Sequence, residues 1–344
     1  MRILIHEWSC SGGLDDRSDG GRRSADEGLF AEGAAMLVAL VRDACRDPRF
    51  EVTALLDATR PMRLPERARV VRVPAGGEIE ALVAESARAD ATFVVAPETA
   101  GLLAERIAAA RAAGGDVVAP EAGFIAVAAD KQATILALAA AGVPVPAGRL
   151  LPAGVAWPDR FVRPAVRKPL DGVGGDAVLR VGGADPPPAA VPQATRIEAF
   201  VPGEPVGVGC LCGAGRIRPL VPLRQCCDAA GRYVGGEPLG DAATAARAAA
   251  LAARAVAAVA RASAGQPRGW VGVDMILGAA ADGRDDRVLE VNPRLTTSFV
   301  GHAAGAASSL VAKLLDAAVG RDVVVDSQPR SFRLATDARF SRCD

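Results

Sequence analysis

The sequence predicts an α/β protein: a parallel, doubly wound sheet at the N-terminus, then a strand-rich α+β region. Three observations predict it. Short apolar runs alternate with helical patterns over the first 125 residues, as expected of strands joined by helical crossovers. After Gly123 the texture changes to short strands punctuated by Gly and Pro. Half of the 344 residues are hydrophobic, which supports a large packed core rather than disorder.

The elements follow in order. Arg2–Ile5, Glu51–Leu56, Ala91–Ala96 and Asp116–Ala119 read as strands. Gly28–Asp43, Glu78–Arg88 and Thr99–Ala113 read as helices. Ser9–Gly13 is a Gly/Ser-rich turn, and Leu14–Ser24 a charged loop. Asp130–Ala141 is a helix closed by Gly142, with Pro144 and Pro146 as stop signals. Ala165–Pro169, Ala177–Val181, Arg196–Phe200, Val206–Leu211 and Ile217–Leu223 are short strands, and Gly182–Pro192 is a Pro-rich connection. Asp241–Ser263 is a long Ala-rich helix. Trp270–Leu277 and Arg287–Val291 form a strand pair, and Ser298–Val319 is the last helix. The tail after Asp326 has little pattern.

Composition excludes several classes. The 40 basic and 40 acidic residues cancel, and no basic block stands out, which argues against a general nucleic-acid binder. Charged residues interrupt every apolar run before about 18 residues, so no membrane span is expected. The opening MRILIHEW enters a strand directly and lacks a signal-peptide pattern, so a cytoplasmic location is expected. Seven cysteines do not suggest a disulfide framework in a chain this long, and Cys210, Cys212, Cys226 and Cys227 do not match a zinc spacing. Only three lysines occur, Lys131, Lys168 and Lys313, and one asparagine, Asn292. A lysine or asparagine that persists in so arginine-rich a chain is a candidate for chemistry that arginine or aspartate cannot perform.

Three stretches carry chemistry. In Arg167-Lys-Pro-Leu-Asp-Gly-Val-Gly-Gly-Asp176 a strand ends in Lys168 and a glycine-rich loop follows. Gly172, Gly174 and Gly175 would let backbone N–H groups approach an anion, and a lysine suits phosphate oxygens. An ordinary hairpin could carry the same residues. In Arg287-Val-Leu-Glu-Val-Asn-Pro-Arg294, Glu290 and Asn292 share one face of a strand. Two oxygen ligands there suit Mg²⁺ (or Mn²⁺), and Asp274 on the preceding strand could face the same side. Arg294 could clamp a phosphoryl or carboxylate group. The competing reading is a polar strand end with a surface ion pair. In Ile197-Glu-Ala-Phe-Val-Pro-Gly-Glu204, a strand edge could meet an adenine and Glu204 a ribose; read alone, this is an ordinary strand and turn.

In this order and spacing the sequence resembles the ATP-grasp superfamily of carboxylate–amine ligases. The resemblance covers roughly Ala126–Gly320 and rests on DKQATILALAAAGVPVP, RKPLDGVGG, IEAFVPGE, GVDMIL and LEVNPR. It implies a Rossmann-like pre-ATP-grasp domain over residues 1–125 and an ATP-grasp fold of two α+β subdomains over 126–325. The lid subdomain would span about 148–200, and a tail 326–344. It implies ATP binding by Lys131, Lys168, the loop with Gly172, Gly174 and Gly175, the hinge Glu198, Ala199, Phe200 and Val201, and Glu204. It implies a magnesium set of Asp274, Glu290 and Asn292, with Arg294 as the catalytic arginine. Many relatives carry an arginine where this chain has Gly272, so Arg268 or Arg224 would have to assist Arg294. Relatives are often dimers, so a homodimer is one expectation.

HEWSCSGG, AEGAAML, RYVGGEP and NPRLTTSFVG look like the tyramine–glutamate ligase group, which serves methanofuran-type cofactor synthesis. That narrower resemblance implies glutamate as the carboxylate and an arylalkylamine as the nucleophile. Candidate substrate residues are His6, Glu7, Tyr233, Thr297 and His302. Other readings are an ATP-grasp protein of different chemistry and a non-catalytic nucleotide-binding module. A carboxylase is expected to bring biotin-system domains for which 344 residues leave no room. A Rossmann dehydrogenase fits poorly, because no GxGxxG follows the first strand.

Overall fold

The computed structural model describes residues 1–14, 24–158, 161–170, 178–182, 191, 193–229 and 232–334. The loop containing Gly172, Gly174 and Gly175, most of the Pro-rich connection and the end of the tail lie outside the described residues.

Four parallel strands form the first sheet: β1 (Arg2–Glu7), β2 (Glu51–Asp57), β3 (Arg69–Val73) and β4 (Ala91–Val95), in the order β3-β2-β1-β4. Strand β1 is apolar and buried along most of its length, as expected of a central parallel strand. Helices α1 (Ser24–Cys45), α2 (Glu78–Ser86) and α3 (Leu102–Ala112) make the crossovers. The expected strand Asp116–Ala119 is reduced to one parallel bridge, Val117 to Thr92. Strand β3, the run Arg69-Val-Val-Arg-Val73, adds a strand to those the sequence pattern predicts.

Next come α4 (Ala122–Ala129) and α5 (Lys131–Ala140). Asp130 caps α5, accepting from the N–H groups of Gln132 and Ala133, and so sets Lys131 on its first turn. A small antiparallel sheet contains β5 (Gly148–Leu151), β6 (Ala165–Pro169), β7 (Leu179–Val181) and β8 (Thr195–Ala199), ordered β5-β8-β6-β7. The largest sheet comprises β9 (Glu204–Gly213), β10 (Arg216–Pro219), β11 (Leu223–Cys227), β12 (Tyr233–Pro238), β13 (Gly269–Leu277), β14 (Arg287–Asn292) and β15 (Phe332–Arg333). Its path is β14-β13-β9-β11-β12-β15, with β10 beside β9. The strand expected over Ile217–Leu223 ends at Pro219, because two prolines remove ladder donors before β11 begins.

Helix α6 (Ala242–Ser263) is long and apolar enough to cross a membrane by composition. It packs Leu251, Ala255, Val256 and Val259 into a core shared with Val206, Val208, Val271 and Val273 of β9 and β13. The single helix expected over Ser298–Val319 is two: α7 (Ser298–Gly305) and α8 (Leu310–Ala318). Ala306 is extended, and Ser309 caps α8 by accepting from Ala312 N–H. Buried Asp43 of α1 accepts from Ser309 Oγ and Val311 N–H. This ties the N-terminal layer to the new helix start. Phe299 is fully buried where α1, α7 and β13 meet, edge-on to Trp270 at 5.5 Å between centroids. Phe299→Ala should cost about 3–5 kcal/mol. A thermal unfolding midpoint within a degree of the parent would contradict that packing role.

Candidate functional site

Strands β13 and β14 build the floor of the site. In their antiparallel register Asp274 faces Glu290, and Gly272 faces Asn292. All three oxygen-bearing side chains therefore rise from one face. Asp274 Oδ1 accepts from Gln225 Nε2 at 2.7 Å, and Oδ2 from Asn292 Nδ2 at 2.8 Å. With its Nδ2 spent on Asp274, Asn292 keeps its Oδ1, the atom a hard cation takes. Burial, then the charge of Glu290, pushes the Asp274 carboxyl up to about 6. Two crowded carboxylates and an amide oxygen fit a divalent cation, which would relieve that repulsion. Asp274, Glu290 and Asn292 are oxygen donors of the kind a hard divalent cation takes.

Above this floor opens a cleft of about 260 Å³. Arg294, Tyr233, Thr297, Arg224, Gln225 and Glu32 are among its lining residues. Thr297 donates its hydroxyl to Tyr233 Oη at 3.0 Å, and burial raises the Tyr233 phenol, keeping it neutral. Arg294 donates through Nε to Glu98 Oε2 at 3.0 Å. Burial is the largest influence and lowers the Arg294 value, but the charge and hydrogen bond of Glu98, with the charges of Glu32 and Asp274, together outweigh it and keep the guanidinium protonated.

A second cluster sits on the small sheet. Lys168 Nζ lies 2.9 Å from Glu198 Oε2, and Arg196 Nε lies 2.7 Å from Glu198 Oε1. All three side chains are buried. Arg196 also reaches Gln132 Oε1 at 2.6 Å, beside Lys131. Lys131 Nζ stands 4.0 Å from Glu290 Oε1, so the first turn of α5 meets both clusters, Gln132 touching one and Lys131 the other. The segment between them is anchored by close approach. A Cβ on Gly203, whose φ is +150°, would meet Leu277 O at 2.3 Å. Ala199 and Phe200 spend their N–H groups on Ala147 and Pro164 carbonyls, and Arg180 lies 4.0 Å over the Phe200 ring. Glu204 pairs with Arg224 at the cleft edge.

The structure therefore brings together Asp274, Glu290, Asn292, Arg294, Tyr233 and Thr297. It sets Lys168 and Glu198 in the second cluster, off the cleft lining. Three candidate substrate residues lie elsewhere. His6 is fully buried, with Nε2 2.6 Å from Glu78 Oε1, whose other oxygen holds Arg106. Buried Glu7 accepts from Ser9 Oγ and Cys10 N–H, stapling the turn after β1. His302 is buried edge-on to Trp270, and burial lowers it to about 4, so it stays neutral. Each of these side chains is enclosed by its own element and neighbours, away from the cleft lining. Of the two arginines considered as partners of Arg294, Arg224 lines the cleft, whereas Arg268 is tied to Asp116 and the Val117 carbonyl. Gly272 leaves no room for an arginine. A Cβ there would meet Thr296 Cγ2 at 2.4 Å, and Thr296 is fixed by Trp270 Nε1 and Ser298.

Glu32, Gln225, Glu98, Gln132 and Arg196 were missed by sequence reasoning. Only Glu98 had a usable signal: it follows the C-terminal end of a parallel strand, where ligands meet open α/β sheets.

The family described as the ATP-grasp domain matches residues 128–298, and that described as the pre ATP-grasp 3 domain matches residues 50–125. No curated protein matches the chain. Among solved structures, an ATP-grasp superfamily protein from Archaeoglobus fulgidus is 20% identical with a TM-score of 0.67. That match covers 93% of this chain and 90% of the other. An L-amino acid ligase from Bacillus licheniformis is 15% identical with a TM-score of 0.61, over 93% of this chain and 74% of the other. A biotin carboxylase from Campylobacter jejuni, solved as a β-γ-ATP complex, is 14% identical with a TM-score of 0.67 over 94% and 72%. By both family matches, residues 128–298 are an ATP-grasp domain and residues 50–125 a pre-ATP-grasp domain ahead of it.

Proposed function

We propose that this protein is an ATP-dependent carboxylate–amine ligase that forms an amide through an acyl phosphate and releases ADP. The observation that carries the reading is the convergence of Asp274, Glu290, Asn292 and half-buried Arg294 on a cleft lined by Tyr233 and Thr297. Such a site needs no protein nucleophile. Its work is positioning and charge stabilisation at a phosphoryl group passing to a carboxylate. A bound Mg²⁺ would neutralise phosphate charge. Lys131 and Lys168 would hold nucleotide phosphates, and the glycine loop at 171–175 would cover them. Glu198 to Val201 would meet the adenine, with Val201 offering its backbone, and Glu204 would take the ribose. Arg294, with Arg224 at the rim, would meet negative charge on the transferred phosphoryl and the acyl phosphate.

The narrower reading is glutamate joined to tyramine or a related arylalkylamine, in methanofuran-type one-carbon cofactor synthesis. What supports it is the run Asn292–Gly301, which supplies Asn292, Arg294 and Thr297 to one cleft, with Tyr233 from Arg232–Pro238 opposite. The test incubates the protein with ATP, Mg²⁺ and a panel of amino acids and amines, and reads products by mass spectrometry. A glutamyl-tyramine amide is the expected product. An amide from another pair would end the narrow reading only. A phosphorylated or carboxylated product without any amide would end the ligase reading.

A further inference from the structure

We infer that Glu98, which belongs to none of the sequence motifs, is the positioning residue that aims Arg294 into the cleft from the N-terminal domain. The inference rests on the ligase reading for what Arg294 does, and on geometry for how it is held. Glu98 stands in the turn after β4, at the C-terminal edge of the parallel sheet, 196 residues before Arg294. Its Oε2 accepts from Arg294 Nε at 3.0 Å, and Arg294 Nη1 donates to the Leu295 carbonyl at 3.2 Å. These two bonds fix the plane of the guanidinium fork. Among the described residues Nη2 donates to nothing, although Arg294 lines the cleft. The fork is thus locked on one side and left with a donor for an anionic group.

Glu98 itself is 9% exposed, and its Oε1 is buried with no hydrogen-bond partner among the described residues. That oxygen is an anomaly in a settled core, where buried polar atoms find partners. Glu98 shares a cavity of about 10 Å³ with Lys131, Glu290 and Asn292, enough for one water. The carboxylate therefore joins the N-terminal sheet, the arginine and the phosphate side of the site. A residue that only neutralised a buried charge would need no such placement. In the positioning account, hydrogen-bond acceptance at Arg294 Nε matters more than negative charge. Displacing a catalytic group by about 1 Å is enough to cost roughly 100-fold in rate.

The test is a double-mutant cycle on ATP-dependent ADP release by the full chain, with Glu98→Ala, Arg294→Ala and the double variant. Glu98→Ala should lower kcat about 100-fold while the KM for ATP stays within about twofold. Glu98→Gln keeps an acceptor oxygen and should stay within about tenfold of the parent. In the Arg294→Ala background, Glu98→Ala should add no further loss. The double variant also removes both partners of the ion pair, leaving neither charge stranded, so it guards against simple misfolding. An equal loss in that background, or a raised KM with unchanged kcat, would overturn the inference. The ¹⁵N spectrum of the unliganded protein gives a second readout. A slowly exchanging Arg294 Nε–H signal should persist in Glu98→Gln and vanish in Glu98→Ala; its absence from the parent would equally overturn the inference. If the parent releases ADP without forming an amide, the ligase reading fails while the cycle still reports on Glu98.

Discussion

Lys168→Ala should abolish ATP turnover, a fall of about 100-fold or more, while the protein stays folded. The Lys168 ammonium is buried at the end of β6, immediately before the glycine-rich segment, with Glu198 as its partner at 2.9 Å. Removing a lysine from a buried pair usually leaves a stranded carboxylate, which is costly. Here Glu198 keeps Arg196 at 2.7 Å, so the carboxylate stays paired and the small sheet should persist. Lys168→Arg should rescue little, because a planar fork cannot replace a compact ammonium in a closed space. ADP release and circular dichroism together check this. Normal turnover in Lys168→Ala would reduce the lysine to a structural counter-ion.

Glu290→Gln should raise the Mg²⁺ concentration needed for half-maximal activity by at least about tenfold. It would also let the Asp274 carboxyl fall from about 6, since the charge of Glu290 is one of the two causes that raise it. The sign matters for pH. A carboxyl raised in the folded state holds its proton more tightly there than in the unfolded chain. The unliganded fold therefore loses stability as pH rises from the ordinary aspartate range toward 6. A cation competes with that proton. Mg²⁺ should stabilise the parent against heat at pH 7.5 and much less at pH 5, with apparent affinity falling about tenfold per unit below pH 6. A magnesium titration identical in Glu290→Gln and parent, or independent of pH, would contradict the ligand set.

The floor of the site was legible because its information is local. Glu290 and Asn292 are two apart on one strand, so period-two geometry predicts their shared face, while the antiparallel register is what sets Asp274 on the neighbouring strand beside them. The alternation of strands and helices in the first 125 residues likewise announces the parallel sheet. What could not be read depends on long-range packing. Glu98 and Gln225 reach Arg294 and Asp274 from elements far away in sequence. Burial was equally invisible at His6, Glu7 and His302. A histidine at a strand end reads the same whether it opens to a ligand or, like His6, closes on Glu78 from the next helix. The break between α7 and α8 is another case, since Asp43 on α1 contributes to the second helix start.

The most direct measurement follows oxygen. Glutamate labelled with ¹⁸O in its carboxylates is incubated with ATP, Mg²⁺, tyramine and the protein, or with the pair the product panel identifies. If a carboxylate oxygen attacks the γ-phosphoryl group and an amine then expels phosphate, one ¹⁸O passes from the carboxylate into inorganic phosphate for each amide formed. That transfer is the predicted result. Amide formation with unlabelled phosphate would contradict the acyl-phosphate account.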